Sequence, residues 1–345
     1  MTLASPPLLV SVRRRGIALA AGILVTIAAA GLWLEHPWQH RAGSVQPASC
    51  RLPVYLSTSN SGGFLTVPGY AFTAAPGNTF AGEAKGANKH WSYDASIARW
   101  LPVDHRMISS DGNWWVYATP LEPSVSASLH LVDRHGADRT VWTGAGRAYL
   151  LGWTVGGAAF IHVGPSPQYQ NEYLMVDAAT GTLRTLPPIV GEPVGTDALG
   201  LWSVRNLPTG PESDNNPLLH STVIRADIRT EARFYPGGTV TWWDKTLPAL
   251  VILLGFDRDG HPILGISGFP ERYVLLTSPN KEAEITGDAR AAEFAPVSAL
   301  GDSHGVWFGD LRGVVWLWIA GQGLTRVAQV STHSTDGVVI AGPCR

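Results

Sequence analysis

Charge is scarce in this sequence, and neither sign is in clear excess. Among 345 residues, 25 are lysine or arginine and 27 are aspartate or glutamate, which gives a formal net charge of −2. Binding to nucleic acid needs a clustered basic surface, so no nucleic-acid partner is expected. Intrinsic disorder is also excluded, because a chain with 45% hydrophobic residues can bury enough apolar surface to fold.

Cysteine is nearly absent, and the two cysteines stand at the ends of the region that we predict to fold, residues 50–345. They are Cys50 and Cys344. Outside the cytoplasm, an even pair of cysteines is expected to form a disulfide. A disulfide requires the two Cα atoms to approach within about 7 Å, so the ends of the domain would meet. The alternative is a pair of unlinked thiols that flank the domain.

No catalytic, cofactor-binding or metal-binding residue can be assigned from the sequence. Paired carboxylates in a fold of many strands are brought together in space rather than in sequence. The 11 histidines are scattered. Pro37 separates His36 from His40, and His130 and His135 flank a predicted turn, so we interpret these histidines as polar surface residues. We therefore expect no cofactor and no metal, and the binding residues are unknown.

The longest uncharged run lies near the N-terminus. Residues 16–34 contain 19 residues without a charge and follow three arginines at 13–15. As an α-helix this run would measure about 28 Å, close to the roughly 30 Å hydrocarbon core of a bilayer. The arginines predict a cytoplasmic segment at 1–15 and place the rest of the chain outside the membrane. A signal peptide cleaved near Ala30 is the alternative, and the protein would then be secreted.

The segment after the predicted span, residues 35–49, has two prolines and no apolar periodicity. We interpret it as a tether that connects the membrane anchor to the folded domain of residues 50–345. In both interpretations of the N-terminus, this domain lies in an extracytoplasmic compartment.

A turn, a strand and a β-hairpin recur along the folded region. The hairpins begin at intervals of 44, 49, 51 and 42 residues, at Leu129, Tyr173, Thr222, Tyr273 and Val315. A repeat of about 40 to 50 residues with four strands is typical of the blades of a β-propeller. The 38 glycines and 25 prolines agree with many short strands joined by turns. The sequence therefore predicts an all-β fold with five complete blades.

A sixth blade can be assembled from the two ends of the domain. Residues 334–344 contain a turn and one strand with no hairpin behind them, and residues 52–76 contain strands with no turn and strand in front. Joined, the two segments complete one blade and remove the open edge between the first and last sheets. The predicted fold is a six-bladed β-propeller preceded by one transmembrane helix.

Some residues of this repeat resemble a known group of proteins. Trp100, Ser109–Gly112 and Leu129–Asp133 resemble the blades of six-bladed, TolB-like propellers, which have an aromatic position, a Ser-Pro-Asp-Gly turn and an apolar hairpin that ends near an aspartate. Asp259-Gly260 and Asp336-Gly337 keep the turn alone. The resemblance implies a propeller over residues 50–345 and carries no active site with it.

Two functions of different classes fit this architecture. We favour a binding module that presents one face or the funnel of the propeller to a protein, peptide or polysaccharide partner. The alternative is an extracytoplasmic hydrolase or lyase with its site in the funnel. Carboxylates or histidines converging on the funnel would favour the enzyme, and aromatic or backbone groups would favour binding. The long interval between Arg205 and Ser221 is predicted to be a contact loop, and the alternative is a disordered, dispensable excursion.

Overall fold

The structure is a computed structural model. It describes residues 49–85, 90–119, 126–164, 171–186, 191–198, 200–209, 218–227, 238–267, 271–287, 293–331 and 336–345. The predicted membrane span at 16–34, its cytoplasmic flank at 1–15 and the tether up to residue 48 lie outside the described residues. Within the ranges given above, no helix has the length and apolar character needed to cross a membrane.

The fold is all-β, and the described residues contain 25 strands and two short 3-10 turns. Strand β7 (Ser126–Asp133) illustrates why these segments are extended. Ala127, Leu129 and Leu131 are buried, and the residues between them are more exposed. This alternation matches the two-residue period of a strand that covers a core with one face.

Six units of antiparallel strands follow one another. Unit 1 consists of β25 (Val338–Ile340), β1 (Cys50–Leu56), β2 (Ser61–Val67) and β3 (Phe72–Ala74). Unit 2 consists of β6 (Trp114–Thr119), β7 and β8 (Asp138–Ala145), with Ile108 bridged to Trp115 on the inner side. Unit 3 consists of β9 (Arg147–Thr154), β10 (Gly157–Val163), β11 (Glu172–Val176) and β12 (Leu183–Leu186).

The remaining three units each have four strands. Unit 4 consists of β13 (Glu192–Thr196), β14 (Gly200–Pro208), β15 (Leu219–Asp227) and β16 (Thr239–Leu247). Unit 5 consists of β17 (Leu250–Phe256), β18 (Pro262–Ser267), β19 (Arg272–Ser278) and β20 (Lys281–Glu284). Unit 6 consists of β21 (Pro296–Asp302), β22 (Gly305–Asp310), β23 (Val314–Ile319) and β24 (Gly323–Gln329). The predicted hairpin starts of units 3 to 6 lie in the third strand of their unit, and Leu129 lies in β7, the second of the three strands of unit 2.

Unit 1 is built from both ends of the domain, as predicted. Strand β25 pairs antiparallel with β1, with Val54 opposite Ile340. Cys50 and Cys344 form a disulfide with their Cα atoms 5.5 Å apart, which confirms the predicted pairing. The Arg51 backbone N–H also donates to the Arg345 carbonyl at 2.8 Å. The first and last segments of the domain therefore share one sheet.

Consecutive units pack face to face and form a β-propeller. Clusters of buried apolar side chains fill the interfaces from unit 2 to unit 6 and from unit 6 back to unit 1. They include Phe160 between units 2 and 3, Leu201 between 3 and 4, Trp243 between 4 and 5, Trp316 between 5 and 6, and Trp307 between 6 and 1. Because the last unit packs on the first, the sheets close without an open end.

The interface between units 1 and 2 contains an extra segment. We call residues 75–106 the wedge; residues 86–89 within it lie outside the described ranges. It contains β4 (Ser92–Asp94), β5 (Arg99–Leu101) and 3-10 turns at Gly77–Phe80 and His105–Met107. Its aromatic residues pack with those of unit 1 in a cluster that contains Tyr55, Phe64, Phe80, Trp91, Tyr93 and Trp100. The repeat pattern did not predict this segment.

Candidate functional site

Two cavities lie beside the innermost strands of the propeller. Cavity A has a volume of about 690 Å³ and is lined by the wedge and by units 3 and 4, with residues 149–151, Ile161, Val163 and residues 191–194. Cavity B has a volume of about 580 Å³ and lies against the wedge and the innermost strands of units 5, 6 and 1. Both volumes are within the range of about 300 to 1,000 Å³ that is common for ligand sites.

Two wedge residues, Asp104 and Arg106, line both cavities. An Asp104 carboxylate oxygen accepts the Arg106 backbone N–H at 2.9 Å and the Arg106 Nε–H at 3.3 Å. This carboxylate therefore caps the 3-10 turn that begins at His105 and holds the guanidinium. Arg106 Nη1 also donates to the Val194 carbonyl of unit 4 at 3.3 Å, so its side chain connects the wedge to unit 4.

The charge state of this pair follows from its surroundings. Burial alone would raise the pKa of Asp104, but the Arg106 guanidinium and the backbone hydrogen bond hold that pKa below its usual value. Asp104 is therefore ionised near neutral pH, and its charge is balanced by that of Arg106.

Two histidines of the wedge, His90 and His105, also line cavity B. Their Nδ1 atoms are buried and have no hydrogen-bond partner among the described residues. Burial lowers the pKa of both imidazoles, against an opposing contribution from Asp104. Both rings are thus neutral near pH 7. A buried polar atom without a partner is costly, so a water molecule or a ligand group is expected beside each ring.

The rest of cavity B combines apolar side chains with one further carboxylate. Leu254, Val297 and Leu311 line it, and Val297 and Leu311 are 40% and 58% exposed. Asp257 also lines it, but its carboxylate accepts the backbone N–H groups of Asp259 and His261 at 2.9 and 2.8 Å. Cavity B is thus lined by two carboxylates, Asp104 and Asp257, and by two neutral imidazoles. Both carboxylates already accept intramolecular hydrogen bonds.

Cavity A has a different lining. Lys85, Asn171 and Glu192 are exposed at its wall, and Tyr149 and Tyr173 contribute aromatic rings. Arg147 Nη1 donates to the Tyr149 hydroxyl oxygen at 3.0 Å. Burial raises the pKa of Tyr173, so this phenol remains protonated near neutral pH. Cavity A therefore offers charged, amide and phenol groups together with ring surfaces.

Among the described residues, two groups of side chains have donor atoms within 4.8 Å of one another, the spacing that a metal ion requires. In the first, Cys50 and Cys344 are joined as a disulfide next to His304, so their sulfur atoms are not free ligands. In the second, His261 Nδ1 is 3.0 Å from the Asp257 carboxylate and Asp259 is 3.5 Å from Arg258. These groups are satisfied by one another, and we assign no metal site.

The chain contains one Gly-x-Ser-x-Gly pattern, Gly301–Gly305, which the sequence reasoning overlooked. A nucleophile elbow requires a strand followed by a turn and a helix. Here the pattern joins two antiparallel strands, β21 and β22. The Ser303 hydroxyl and the Asp302 carboxylate both lie near the same His304 nitrogen, Nδ1, at 3.4 and 3.2 Å. A catalytic triad uses different nitrogens for these two contacts, so this turn is not a nucleophile site.

The other residues considered in the sequence are structural. His135 is exposed, as expected, whereas His130 stacks on Tyr117 at a ring distance of 4.6 Å and pairs with Asp138 at 3.1 Å.

The predicted contact loop between Arg205 and Ser221 is in part a hairpin, because β14 and β15 pair as far as Pro208 opposite Leu219. Residues 210–217 of that loop lie outside the described ranges.

Sequence reasoning missed the four wedge residues at the cavities: His90, Asp104, His105 and Arg106. They are far from any recognisable motif. The only signal for them was the segment of about 30 residues between the strands of units 1 and 2, which has no place in a four-stranded repeat. Such insertions on a rigid scaffold often carry function.

Comparison with known proteins gives similarity of fold only. No family model matches the sequence, and no curated protein is similar to it. The β-propeller domain of the Trilobed protease from Pyrococcus furiosus is similar in structure, with a TM-score of 0.47 and 12% identity over 80% of this chain and 85% of that chain. TolB from Acinetobacter baumannii has a TM-score of 0.39 and 11% identity over 85% and 63% of the two chains.

The acylaminoacyl peptidase from Pyrococcus horikoshii gives a TM-score of 0.44 and 11% identity, over 80% of this chain and 46% of that chain. The present chain therefore spans less than half of that enzyme. At these levels of similarity, the propeller assignment rests on the strand pairings and on the packing of the six units.

Proposed function

We propose that the protein is a six-bladed propeller tethered outside the membrane by residues 16–34, and that it binds a ligand in the cavities next to the wedge. The observation that carries this proposal is the shared pair, Asp104 and Arg106, which lines both cavities and belongs to the wedge, a segment outside the repeat. A propeller supplies a rigid frame, and an insertion into that frame supplies the specific groups.

Two carboxylates and two histidines line cavity B, the pattern expected for an enzyme, but both carboxylates already accept intramolecular hydrogen bonds, and this favours binding. The Asp104 charge is balanced by Arg106, and the Asp257 carboxylate is occupied by its own turn. Neither carboxylate is thus placed as a free general base. The buried Nδ1 atoms of His90 and His105 need partners, and a bound ligand can provide them.

One observation favours the second candidate, an extracytoplasmic hydrolase or lyase. Two neutral imidazoles, His90 and His105, line cavity B together with Asp104. A neutral imidazole near a carboxylate is a suitable general base. This enzyme would act on a substrate bound in cavity B, and its activity would depend on the histidines.

The location and the binding activity are tested separately. A reporter fused after Arg345 is expected to be active only in the extracytoplasmic compartment, and the intact chain is expected to remain with membranes. Activity of a cytoplasm-only reporter would overturn the orientation. Release of a shortened chain that begins near Gly31 would show that the N-terminus is cleaved instead of serving as an anchor.

Binding is tested with the full chain in detergent, using thermal shift against a library of saccharides, peptides and small polar metabolites. We expect a compound that stabilises the protein and whose effect disappears when Val163→Trp narrows cavity A or Val297→Trp narrows cavity B. Both substituted positions are incompletely buried, so the fold should be retained. Conversion of a library compound by the wild type, lost in His90→Gln or His105→Gln, would establish the enzyme instead. Absence of any stabilising compound would overturn both.

A further inference from the structure

We propose that cavity A binds an uncharged saccharide of two or three sugar units. The inference rests on the proposed binding function and names the class of ligand for one of the two cavities. It is argued from the charge balance, the hydrogen-bonding groups, the aromatic residues and the size of this cavity.

Among the described residues that line cavity A, the charges cancel. Lys85 and Arg106 are cationic, and Asp104 and Glu192 are anionic. A ligand with a net charge would leave one charge without a counterion after water has been displaced, which is unfavourable in a partly buried site. An uncharged ligand leaves the existing balance unchanged. The cavity therefore selects against anions such as phosphates and carboxylates, and also against amines.

The polar groups of cavity A include both donors and acceptors. Arg106 uses two of its five N–H donors in the contacts with Asp104 and Val194. Tyr149 accepts from Arg147, which leaves its own O–H free to donate. Asn171 offers an amide that both donates and accepts, and Glu192 accepts. A purely apolar ligand would leave these groups without partners, whereas sugar hydroxyls both donate and accept.

The apolar side chains that line cavity A also fit a saccharide. Tyr149 and Tyr173 present aromatic side chains, and Leu150, Ile161 and Val163 complete the wall. Sugar rings carry C–H groups on their faces and hydroxyls around their edges, so they match a site that mixes aromatic and polar side chains. The volume of about 690 Å³ accommodates a ligand of drug-like size, which corresponds to a short oligosaccharide.

Cavity B does not share this chemistry. Among the described residues, its lining has Phe256 as its single phenylalanine, tyrosine or tryptophan, and it has exposed aliphatic side chains at Val297 and Leu311. The saccharide is therefore assigned to cavity A alone. Substitutions at cavity B should leave saccharide binding unchanged, and this serves as an internal control.

The experiment measures binding by isothermal titration calorimetry, with the full chain in a detergent that has no sugar headgroup. The uncharged probes are maltotriose, cellotriose, xylotriose, mannotriose and the N-acetylglucosamine trimer. The charged probes are trigalacturonate and the glucosamine trimer, which has the same skeleton as the acetylated trimer. At least one uncharged probe is expected to bind at about 1 mM or tighter. Trigalacturonate and the glucosamine trimer should both bind at least roughly tenfold more weakly than that probe.

Two variants connect binding to cavity A. Asn171→Asp adds a negative charge at an exposed position, so it should not disturb folding, and it is expected to weaken binding about tenfold. The matched control is Asn280→Asp, the same substitution at an exposed residue that lines neither cavity, and it should bind like the wild type. Tyr149→Phe, which keeps the ring and removes the hydroxyl, should weaken binding less than Tyr149→Ala.

The inference is overturned if none of the uncharged probes binds at about 5 mM, if trigalacturonate binds more tightly than they do, or if Asn171→Asp and Asn280→Asp have equal affinity. Failure of the saccharide inference is distinguished from failure of the binding function, which would leave no compound that stabilises the protein. If another class of compound stabilises the protein and Val163→Trp abolishes that effect, cavity A is a binding site for a ligand that is not a saccharide.

Discussion

The shared sheet of unit 1 allows a quantitative test of ring closure. The disulfide joins residues separated by 294 positions. For a loop of this length, the chain-entropy model gives an upper figure of roughly 6 kcal/mol for the stabilisation. We expect Cys50→Ser combined with Cys344→Ser to lower the free energy of unfolding by about 2–5 kcal/mol. This is less than the upper figure because a real unfolded chain is more compact than the ideal one.

Removal of the last strand should cost more. Val338 and Ile340 of β25 are 0% and 4% exposed, and full burial of each such side chain contributes about 1.5–3 kcal/mol. Asp336, just before this strand, also accepts the Thr58 backbone N–H at 3.0 Å. A variant that lacks residues 336–345 and carries Cys50→Ser should therefore be less stable than the double serine variant by a further 3–6 kcal/mol or so.

The comparison is made by urea unfolding of the full chain in detergent, followed by tryptophan fluorescence. Neither variant has the disulfide, so the difference between them reports on the contacts of residues 336–345, which include β25. Equal unfolding midpoints would mean that β25 is a peripheral tail, and the closed propeller would then have to be abandoned.

Three further predictions concern other parts of the fold. Asp197→Asn should lower the free energy of unfolding in urea by about 1–3 kcal/mol. The reason is that the Asp197 carboxylate accepts Trp202 Nε1–H at 2.8 Å and is paired with Arg225 at 2.8 Å. An unchanged unfolding midpoint would show that this turn does not stabilise the fold. Burial lowers the pKa of His90 and His105, so the unfolded chain binds more protons than the folded chain below about pH 6.5. The free energy of unfolding should therefore fall as the pH falls through that range, and it should fall less steeply in His105→Gln. Equal slopes of the free energy against pH in the two proteins would contradict this. Shortening residues 210–216 should leave the melting temperature nearly unchanged, and a cooperative loss of stability would show that this loop belongs to the core.

Much of the propeller could be predicted because its repeat is local. In units 2 to 6, the turn after the innermost strand begins with a Ser, Thr or Asp. The side-chain oxygen of this residue accepts a hydrogen bond from a residue two to five positions later. A glycine stands three positions after the same Ser, Thr or Asp. These pairs are Ser109 and Gly112, Thr154 and Gly157, Asp197 and Gly200, Asp257 and Gly260, and Asp302 and Gly305. When the units are aligned on these two positions, the repeat is easier to recognise in the sequence than from the Asp-Gly turns alone.

Glycine is needed at some of these positions for a definite reason. Gly305 has a φ of +141°, and a Cβ at this position would lie 2.4 Å from the Trp318 carbonyl oxygen. A side chain would thus be strained by the backbone conformation and would also collide with β23. A glycine with this requirement recurs because the turn geometry recurs, which is why it is visible in the sequence.

The candidate site could not be predicted in the same way. Arg106 connects the wedge to Val194, which is 88 positions away in the sequence. His90 and His105 acquire their role from burial, and the His90 ring lies 5.9 Å from the ring of Tyr55, which is 35 positions away in the sequence. No local pattern distinguishes these residues from others of the same type, and their function depends on contacts between distant parts of the chain.

Because unit 1 is built from both ends of the domain, it determines when the domain can be completed during biosynthesis. Strand β1 leaves the ribosome among the first parts of the domain, and its partner β25 is among the last. Until the final ten residues, 336–345, have emerged, one edge of β1 has no partner, and such an edge can pair with other chains. The sheet of unit 1 therefore cannot be completed before residues 336–345 are available to it. Products that terminate before these residues carry an exposed strand edge, which distinguishes them from the completed domain for proteases and chaperones.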